Sequence, residues 1–344
     1  MVILSFNPKD VNKNLTSVLN DRARDIILQR YGMAKSPERK TLEAIGQVYG
    51  ITRERVRQLE NFALNSIRQS KNFSTQEDAL AELNDYISKK GGLLSEQDIL
   101  NELSDNGDQY TKNNIYFLLV LGDDFKKIKE DDYFNHRWTT NEGRAQKIHE
   151  VLDKLHKKVK EDILLAEKEI ISITQDYAKD VMGEKTKDDI VRSWLNMSKV
   201  VDKNVLGEWG NVKSSNIHPR GVRDLAFTVL RKNGSPMHFS EITKAISEIF
   251  PKKAHPATVH NELIKDSRFV LVGRGMYALK EWGYASGTVR QIIKSILKSS
   301  GPLTKEEIIK KVLKERYVKE NTILVNLQNS KYFKRNKNGA YSAV

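Results

Sequence analysis

Four polar residues near the start of one predicted helix have side chains that can recognise DNA bases. They fall on a single arc of the helix, the polar arc, which consists of Arg53, Glu54, Arg57 and Gln58. Arginine can donate two hydrogen bonds to guanine, glutamine can pair in the same way with adenine, and glutamate can accept from cytosine. The opposite arc is apolar and holds Val56, Leu59 and Ala63. The apolar arc would pack inward, so the polar arc could enter a major groove.

The residues around this helix carry the signals of a helix-turn-helix. Thr41 and Thr52 are placed to cap two successive helices, and Gly50 suits the left-handed backbone that ends the first one. The connection is so short that the two helices must cross steeply. Thr41, Thr52 and Arg55 are therefore expected to contact the DNA backbone, together with the free amides at the helix starts. The alternative is a solvated face with intrahelical pairs such as Glu54 with Gln58; the capped turn before it favours base reading.

Residues 15–70 resemble region 4 of sigma-70 family sigma factors, which reads the promoter −35 element. The resemblance includes Asp21–Gly32 as the preceding helix and Ala63–Arg68 as the end of the last one. It implies that the polar arc reads bases of a −35-like element and that Arg55 contacts DNA or polymerase. It also implies docking on the flap of the RNA polymerase β subunit. Only some fifteen residues precede the match, so we expect no promoter-melting domain and no initiation by this chain alone.

Composition points to a polyanionic partner and excludes several kinds of site. The 344 residues carry a net charge of +13, and 39% of them are hydrophobic, enough for several domains with cores of their own. Cysteine is absent, which excludes disulfides, thiolate zinc sites and a cysteine nucleophile. The N-terminus does not resemble a signal peptide, and no apolar run approaches the ~20 residues of a membrane span. We therefore expect a cytoplasmic, nucleoid-associated protein with no membrane contact.

Charge is distributed unevenly along the chain. Residues 1–71 have a net charge of +6 and residues 72–140 of −7; residues 141–219 are neutral, residues 220–284 carry +5 and residues 285–344 carry +9. The acidic segment would be repelled by DNA. It is expected to contact a basic protein surface or, as a second hypothesis, to shield the basic N-terminal segment when DNA is absent.

A pattern of three helices and two short strands recurs after residue 72, which predicts winged helices. In the clearest copy, Val222–Leu230 is the first helix, Ser240 caps the second, Pro256 begins the third, and the strands flank Gly273–Gly275. We predict a mainly α chain: a helix-turn-helix head followed by tandem winged-helix domains with small β wings. The predicted domains are 1–71, 72–140 (acidic), 141–217 (divergent, with its second helix least defined), 218–284 and 285–344 (basic).

Residues 218–284 resemble the HARE-HTH winged helix, a domain that also occurs in the delta subunit of RNA polymerase. The resemblance includes Arg220–Ala226 and has its most specific parts at Pro236–Ile242 and Asp266–Phe269; the last copy is a weaker relative. Family members are linked to DNA or to polymerase, and the resemblance leaves both open. Basic residues at the two predicted wings could contact DNA phosphates or a minor groove. The alternative is that these wing tips are only solvated. The residues are Arg274, Lys334, Arg335 and Lys337.

No constellation of residues indicates an enzyme, a cofactor or a metal site. The pairs His149/His156 and His255/His260 lack a carboxylate set at ligand spacing, and neither a phosphate-binding glycine loop nor a serine nucleophile elbow occurs. We predict a sequence-specific, sigma-like transcription factor that binds double-stranded promoter DNA and bacterial RNA polymerase. The alternatives are a delta-like polymerase-associated subunit with little sequence preference, and a DNA-cleaving enzyme that would require a divalent metal.

Overall fold

The chain is mainly helical with small antiparallel sheets, which confirms the predicted fold class. The structure is a computed structural model and describes residues 4–104, 107–161, 163–251, 253–284, 287–336 and 339–344. Two units can be distinguished: Met1–Lys203 with Gly207–Val212, and Asn204–Leu206 with Lys213–Val344. The division of the chain into five domains stays a prediction.

The head, residues 1–71, is built from capped helices. These are α1 (Pro8–Thr16), α2 (Asp21–Arg30), α3 (Leu42–Tyr49) and α4 (Arg53–Arg68), and α5 (Lys71–Ser74) follows them. The side chains of Asn7 and Asn20 cap α1 and α2, because each amide oxygen accepts from a backbone N–H of the first turn. The helix predicted to extend to Gly32 ends at Arg30.

The rest of the first unit contains two similar arrangements of helices and strands. The first consists of α6 (Glu77–Lys89), β1 (Leu93–Ser95), α7 (Glu96–Glu102), α8 (Gln109–Leu121), β2 (Lys126–Ile128) and β3 (Arg137–Thr139). The second consists of α9 (Glu142–Lys158), β4 (Leu164–Leu165), α10 (Glu167–Met182), α11 (Asp188–Asn196), β5 (Val201–Lys203) and β6 (Trp209–Asn211). Helix α10 occupies the place of the second helix that the sequence leaves undefined.

The second unit repeats this plan twice. Its elements are α12 (Val222–Asn233), β7 (Met237–His238), α13 (Phe239–Ile249), α14 (Pro256–Lys265), β8 (Phe269–Gly273), β9 (Met276–Leu279), α15 (Val289–Ser300), α16 (Lys305–Glu315), α17 (Glu320–Leu327), β10 (Phe333–Arg335) and β11 (Tyr341–Ala343). A short 3₁₀ helix, Lys280–Trp282, follows β9. The backbone of Tyr317, after α16, donates to the carbonyl of Val272 in β8 (3.2 Å), so the two copies of this unit are joined at a strand edge.

Each three-stranded sheet has the same topology. A short strand before the second helix pairs with the last strand, which also pairs with the middle one, giving the orders β1-β3-β2, β4-β6-β5 and β7-β9-β8. In the last copy an isolated bridge between Leu303 and Tyr341 takes the place of the first strand. The first strand of each of these sheets, β1, β4 or β7, has only two or three residues. A strand this short does not show a period of two, so the sequence predicted the two wing strands of each copy but not this one.

One predicted cap is wrong. Helix α13 begins at Phe239, and His238, not Ser240, is its N-cap. The carboxylate of Glu241 accepts from the backbone N–H of His238 at 2.9 Å, and the Ser240 hydroxyl instead lies 2.7 Å from the His238 ring nitrogen Nδ1. A glutamate at the third helical position favours this capping box, which shifts the helix start by two residues.

The hydrophobic core of the head continues beyond residue 71. Buried residues of α1, α2 and α4 share one cluster with buried residues of α6, β1, α7 and α8, among them Leu15, Ile27, Ile67, Ile87, Phe117 and Leu118. At the end of α8, the Arg68 guanidinium donates to the carbonyls of Val120 (2.8 Å) and Leu121 (3.0 Å). The head and the acidic segment 72–140 therefore share one hydrophobic core.

Candidate nucleic-acid interface

The turn between α3 and α4 is fixed by capping hydrogen bonds. The hydroxyl of Thr41 accepts from the amide of Ala44 (3.1 Å), and that of Thr52 from the amide of Arg55 (3.2 Å), as predicted. Gly50 ends α3 in the left-handed region with φ 63°. The cluster of Ile26, Ile45 and Val56 packs α2, α3 and α4 together beneath the turn.

Gly46 is a structural requirement that the sequence analysis missed. A Cβ added at this residue would lie 2.6 Å from the carbonyl oxygen of Ile51, which is closer than a carbon and an oxygen can approach. The amide of Ile51 also donates to the Gly46 carbonyl at 3.0 Å. A side chain at position 46 would thus push α3 away from the turn and change the angle at which α4 is presented.

The structure places all four residues of the polar arc on one exposed face of α4. Within this face, Arg57 donates to both carboxylate oxygens of Glu54, at 2.9 and 2.6 Å. The Arg57 hydrogen bond lowers the pKa of Glu54, which remains a carboxylate at neutral pH. Arg55, predicted at the border of the arc, is exposed and donates to the Gln58 side chain at 3.1 Å. The arc is therefore preorganised by its own side chains.

Two backbone amides at the start of α4 are available to an anion. The N–H groups of Arg53 and Glu54 form no hydrogen bond within the part of the chain that the structure describes. They sit at the positive end of a 16-residue helix, where backbone amides and the helix dipole favour a phosphate. The exposed residues Thr52 and Arg55 flank this helix start, so the predicted backbone contacts surround a suitable anion position.

A buried polar network, which the sequence analysis missed, holds α4 against α2. Glu60 lies on the buried side of α4 and accepts a hydrogen bond from the Tyr31 hydroxyl at 2.9 Å. The Arg30 guanidinium lies 3.4 Å from the same carboxylate. Burial and the neighbouring Glu60 both raise the pKa of Tyr31. The signal that could have revealed the network was an acidic residue on an otherwise apolar arc.

Helix α8 holds the loop that leads into α3. Asn113 is fully buried and donates to the carbonyls of Gly32 (2.9 Å) and Pro37 (2.7 Å). Its side-chain oxygen accepts from the Arg39 Nε at 2.8 Å. The Arg39 guanidinium also stacks 3.9 Å above the Tyr116 ring. The residues just before Thr41 are thus positioned by the acidic segment.

The acidic segment does not cover the polar arc. It packs on the buried side of the C-terminal half of α4, through Ala63, Leu64 and Ile67, and no hydrogen bond joins it to the polar arc among the described residues. Two of its carboxylates form ion pairs with cations outside the head: Asp131 with Arg137 (2.8 Å) and Glu130 with Lys199 (2.8 Å). This arrangement does not agree with the hypothesis that the acidic segment shields the basic N-terminal segment when DNA is absent.

Three of the four predicted wing contacts lie within the described residues and are exposed. Arg274 is exposed between β8 and β9, and Lys334 is exposed on β10. Arg335 is also exposed, with its guanidinium 5.8 Å from the centre of the Tyr341 ring. Lys337 lies outside the described residues. The geometry gives these cations access to a ligand, and their contact with DNA stays a prediction.

The histidines have structural surroundings. His149 and His156 both pack on the Phe134 ring, with ring centres 4.9 and 5.4 Å away. His255 caps α14, and His260 stacks on Phe239 at 4.6 Å. Among the described residues, no three or more His, Asp or Glu side chains are grouped as metal ligands would be. None of the helices described here has the length and apolar character of a membrane span.

Comparison with known families assigns the head. Residues 17–69 match the family model described as Sigma-70, region 4. This region 4 head contains the capped turn, the polar arc and the Tyr31–Glu60 network. A second match covers residues 221–282 and is to HARE-HTH, described as a helix-turn-helix domain of ASXL and restriction endonuclease proteins, among others. Both resemblances predicted from the sequence are confirmed.

Several sigma factors are similar to the segment that matches region 4. RNA polymerase sigma factor SigA of Microcystis aeruginosa is 45% identical over 56 residues, which is 16% of this chain and 13% of that protein. SigA of Nostoc sp. is 47% identical over 60 residues, 17% of this chain and 15% of that protein. The chloroplastic sigma factor sigF of Arabidopsis thaliana is 43% identical over 60 residues, 17% and 11% of the two chains. The match thus spans between 11% and 15% of the length of these relatives.

Proposed function

We propose that this protein is a sequence-specific DNA-binding transcription factor that acts with RNA polymerase at promoters. The polar arc reads a −35-type element in the major groove, while Thr41, Thr52 and Arg55 hold the DNA backbone. One observation carries the proposal: the four exposed side chains of the polar arc begin the second helix of a sigma region 4 helix-turn-helix. Their mixed chemistry suits base recognition better than attraction to phosphates alone.

Electrostatics supports this assignment of roles. The head carries a net charge of +6, and the Arg53 and Glu54 amides have no hydrogen-bond partner among the described residues. The acidic segment lies on the opposite side of α4. The DNA would therefore meet a positive surface whose centre presents base-reading groups. Likeness to region 4 also supports a contact between the head and the β flap of bacterial RNA polymerase, and a place in the cytoplasm at the nucleoid.

The proposal is tested by selecting bound duplexes from a random pool at two salt concentrations. Intact protein is compared with Arg53→Ala/Gln58→Ala and with the control Gln69→Ala/Lys71→Ala, which removes one cation and one amide at the far end of α4. We expect intact protein and control to enrich the same compact motif. The arc variant should lose the motif and keep salt-sensitive general binding. A motif that survives in the arc variant would contradict the proposal.

A second candidate function rests on helix α14 of the HARE-HTH-like region. This helix corresponds to the third helix of the winged-helix pattern, yet its exposed side presents Ala257, Asn261 and Ile264, with Ile264 63% exposed. A surface of this kind suits a protein better than a phosphate backbone. It favours a delta-like contact with RNA polymerase. In that case the selection yields no motif, and Ile264→Lys weakens binding to purified polymerase.

A further inference from the structure

The third helices of the four repeated arrangements differ in how much of their surface is free. Helix α8 packs on the head, mainly on α1. Helix α11 packs on the arrangement before it, because Trp194 lies beside Gly91 and shares a core with Leu93 of β1. The main contacts of α14 and α17 are with elements of their own copies. Their outer faces are exposed and available to a ligand.

The outer side of α17 carries side chains that can recognise bases. We call it the α17 face, and it consists of the exposed residues Asn321, Val325 and Gln328. Their spacing brings them to one side of the helix, and Gln328, the C-cap, keeps a right-handed helical backbone. Val325 is 58% exposed, and neither amide side chain forms a hydrogen bond with any residue that the structure describes. The face is thus a strip of two free amides with methyl groups between them.

This combination of side chains suits A·T base pairs in a major groove. An asparagine or glutamine amide can donate to and accept from adenine, and an apolar side chain can contact the methyl group of thymine. Glu320, the acidic residue of α17, lies about 100° around the helix from Asn321 and does not interrupt the strip. The corresponding positions of α14 hold Ala257, Asn261 and Ile264, which provide a single amide. The two free third helices therefore present different chemistry.

The positive charge around α17 is not neutralised within the chain. Residues 285–344 contain thirteen lysines and arginines but only four glutamates and no aspartate. Within the described part of this segment, no carboxylate forms a salt bridge. Glu307 instead accepts from the backbone N–H of Thr304 at 2.8 Å, which caps α16. Exposed cations both precede and follow α17, at Lys319 and Lys331, so the partner whose charge complements this surface is a polyanion.

We propose that the α17 face reads a second DNA element, rich in A·T base pairs, in the major groove. Its two amides contact adenines, Val325 contacts a thymine methyl group, and the flanking lysines hold phosphates together with the wing cations Lys334 and Arg335. A protein partner fits less well, because lysines are depleted at protein interfaces. Helical RNA fits less well too, because its major groove is too narrow for side chains to read. This reading surface is separate from the polar arc of the head.

The test is selection by the full-length protein from a pool of random duplexes long enough to hold two elements. The variant Asn321→Ala/Gln328→Ala is compared with the control Gln97→Ala/Gln146→Ala, which removes two exposed amides from α7 and α9. We expect intact protein and control to enrich two elements, one of them rich in A·T base pairs. The α17 variant should lose that element, keep the other, and bind a duplex carrying only the A·T-rich element at least about tenfold more weakly.

Failure of this proposal and failure of the proposed function can be told apart. Arg53→Ala/Gln58→Ala should lose the other element and keep the A·T-rich one. The α17 variant and its control should unfold at the wild-type temperature, because the replaced side chains are exposed. The proposal is overturned if no A·T-rich element is enriched, if the α17 variant retains that element, or if this variant weakens binding to purified RNA polymerase and leaves DNA binding unchanged.

Discussion

At the scale of single residues, the pairing of Arg57 with Glu54 raises the question of how a side chain already engaged can read a base. Both side chains are more than half exposed, at 54% and 58%, and exposed ion pairs contribute little to stability because water and salt screen them. The pair can therefore open when a guanine or a cytosine offers a better partner.

Removing either partner should change the specificity of DNA binding and not the fold. We expect Arg57→Ala and Glu54→Ala each to relax the preference at one base position by about tenfold, with unfolding temperatures unchanged. The measurement is binding to a panel of duplexes that differ by single base pairs. A uniform loss of affinity across the panel would instead identify the residue as a contact to phosphate.

His149 should make the stability of the first unit depend on pH. Its Nε2 accepts a hydrogen bond from Arg137 at 2.8 Å, which requires the neutral ring. Burial and the Arg137 charge lower its pKa to about 4, from 6.5. Between these values the unfolded chain binds a proton that the folded chain does not, so the free energy of unfolding falls as pH falls from 6.5 to about 4.

The variant His149→Gln should remove part of this dependence. The His149 ring is partly exposed, which reduces the effect. We expect the free energy of unfolding of the wild type to fall by about 2 kcal/mol between about pH 7 and about pH 4, and that of the variant to fall by less. Denaturant titrations across this range provide the measurement. Gln146→Ala, a change at an exposed and non-titrating position of the same helix, is the control and should keep the wild-type slope; a His149→Gln slope equal to it would refute this origin of the pH effect.

At the scale of elements, α8 acts as a support for the head. In a winged helix the third helix is the usual reader of DNA, but here that helix is largely buried, and Asn113 bonds to the loop before Thr41. Helix α8 therefore uses for packing against the head the surface that the third helix of a winged helix ordinarily presents to DNA. An acidic segment can therefore support a head that we propose to bind DNA.

Substitution of Asn113 should weaken the head without touching the polar arc. Asn113→Ala leaves the carbonyls of Gly32 and Pro37 without their donor, at an expected cost of about 2 to 3 kcal/mol in unfolding free energy. The affinity for the selected duplex should also fall, because the loop before Thr41 loses its anchor. Lys112→Ala, one residue away, is the control and should change neither measurement. Equal effects of the two substitutions would show that α8 is generally sensitive and that Asn113 has no special role.

The sequence predicted those elements whose signals are local. Thr41 and Thr52 both cap helices as expected, because a cap depends on only a few neighbouring residues. Contacts between distant segments were missed: the bond from Asn113 to Gly32 spans 81 positions, and that from Tyr31 to Glu60 spans 29. The close approach between Gly46 and Ile51 is local in sequence, and it was missed because it depends on the angle at which α3 and α4 cross.

At the scale of the whole molecule, the boundary between the basic and acidic segments does not coincide with a boundary of the hydrophobic core. The net charge changes sign at about residue 72, whereas the hydrophobic core continues across this position. The head thus packs on an acidic neighbour and keeps the positive net charge that the proposed DNA contact requires. The largest positive charge, +9, lies in residues 285–344, and this segment presents exposed cations at its wing.

The wing cations provide a test of whether the C-terminal segment also touches DNA. If Lys334 and Arg335 each neutralise one phosphate, Lys334→Ala/Arg335→Ala should reduce the slope of log affinity against log salt by about 1.8, while leaving the selected motif unchanged. Lys158→Ala/Lys168→Ala removes two exposed cations from the first unit and should leave the slope as it is. A wing variant with the wild-type slope would mean that these cations are solvated and that the head makes the DNA contacts alone. A change of motif would instead make the wing a reader of sequence, since phosphate contacts carry no base information.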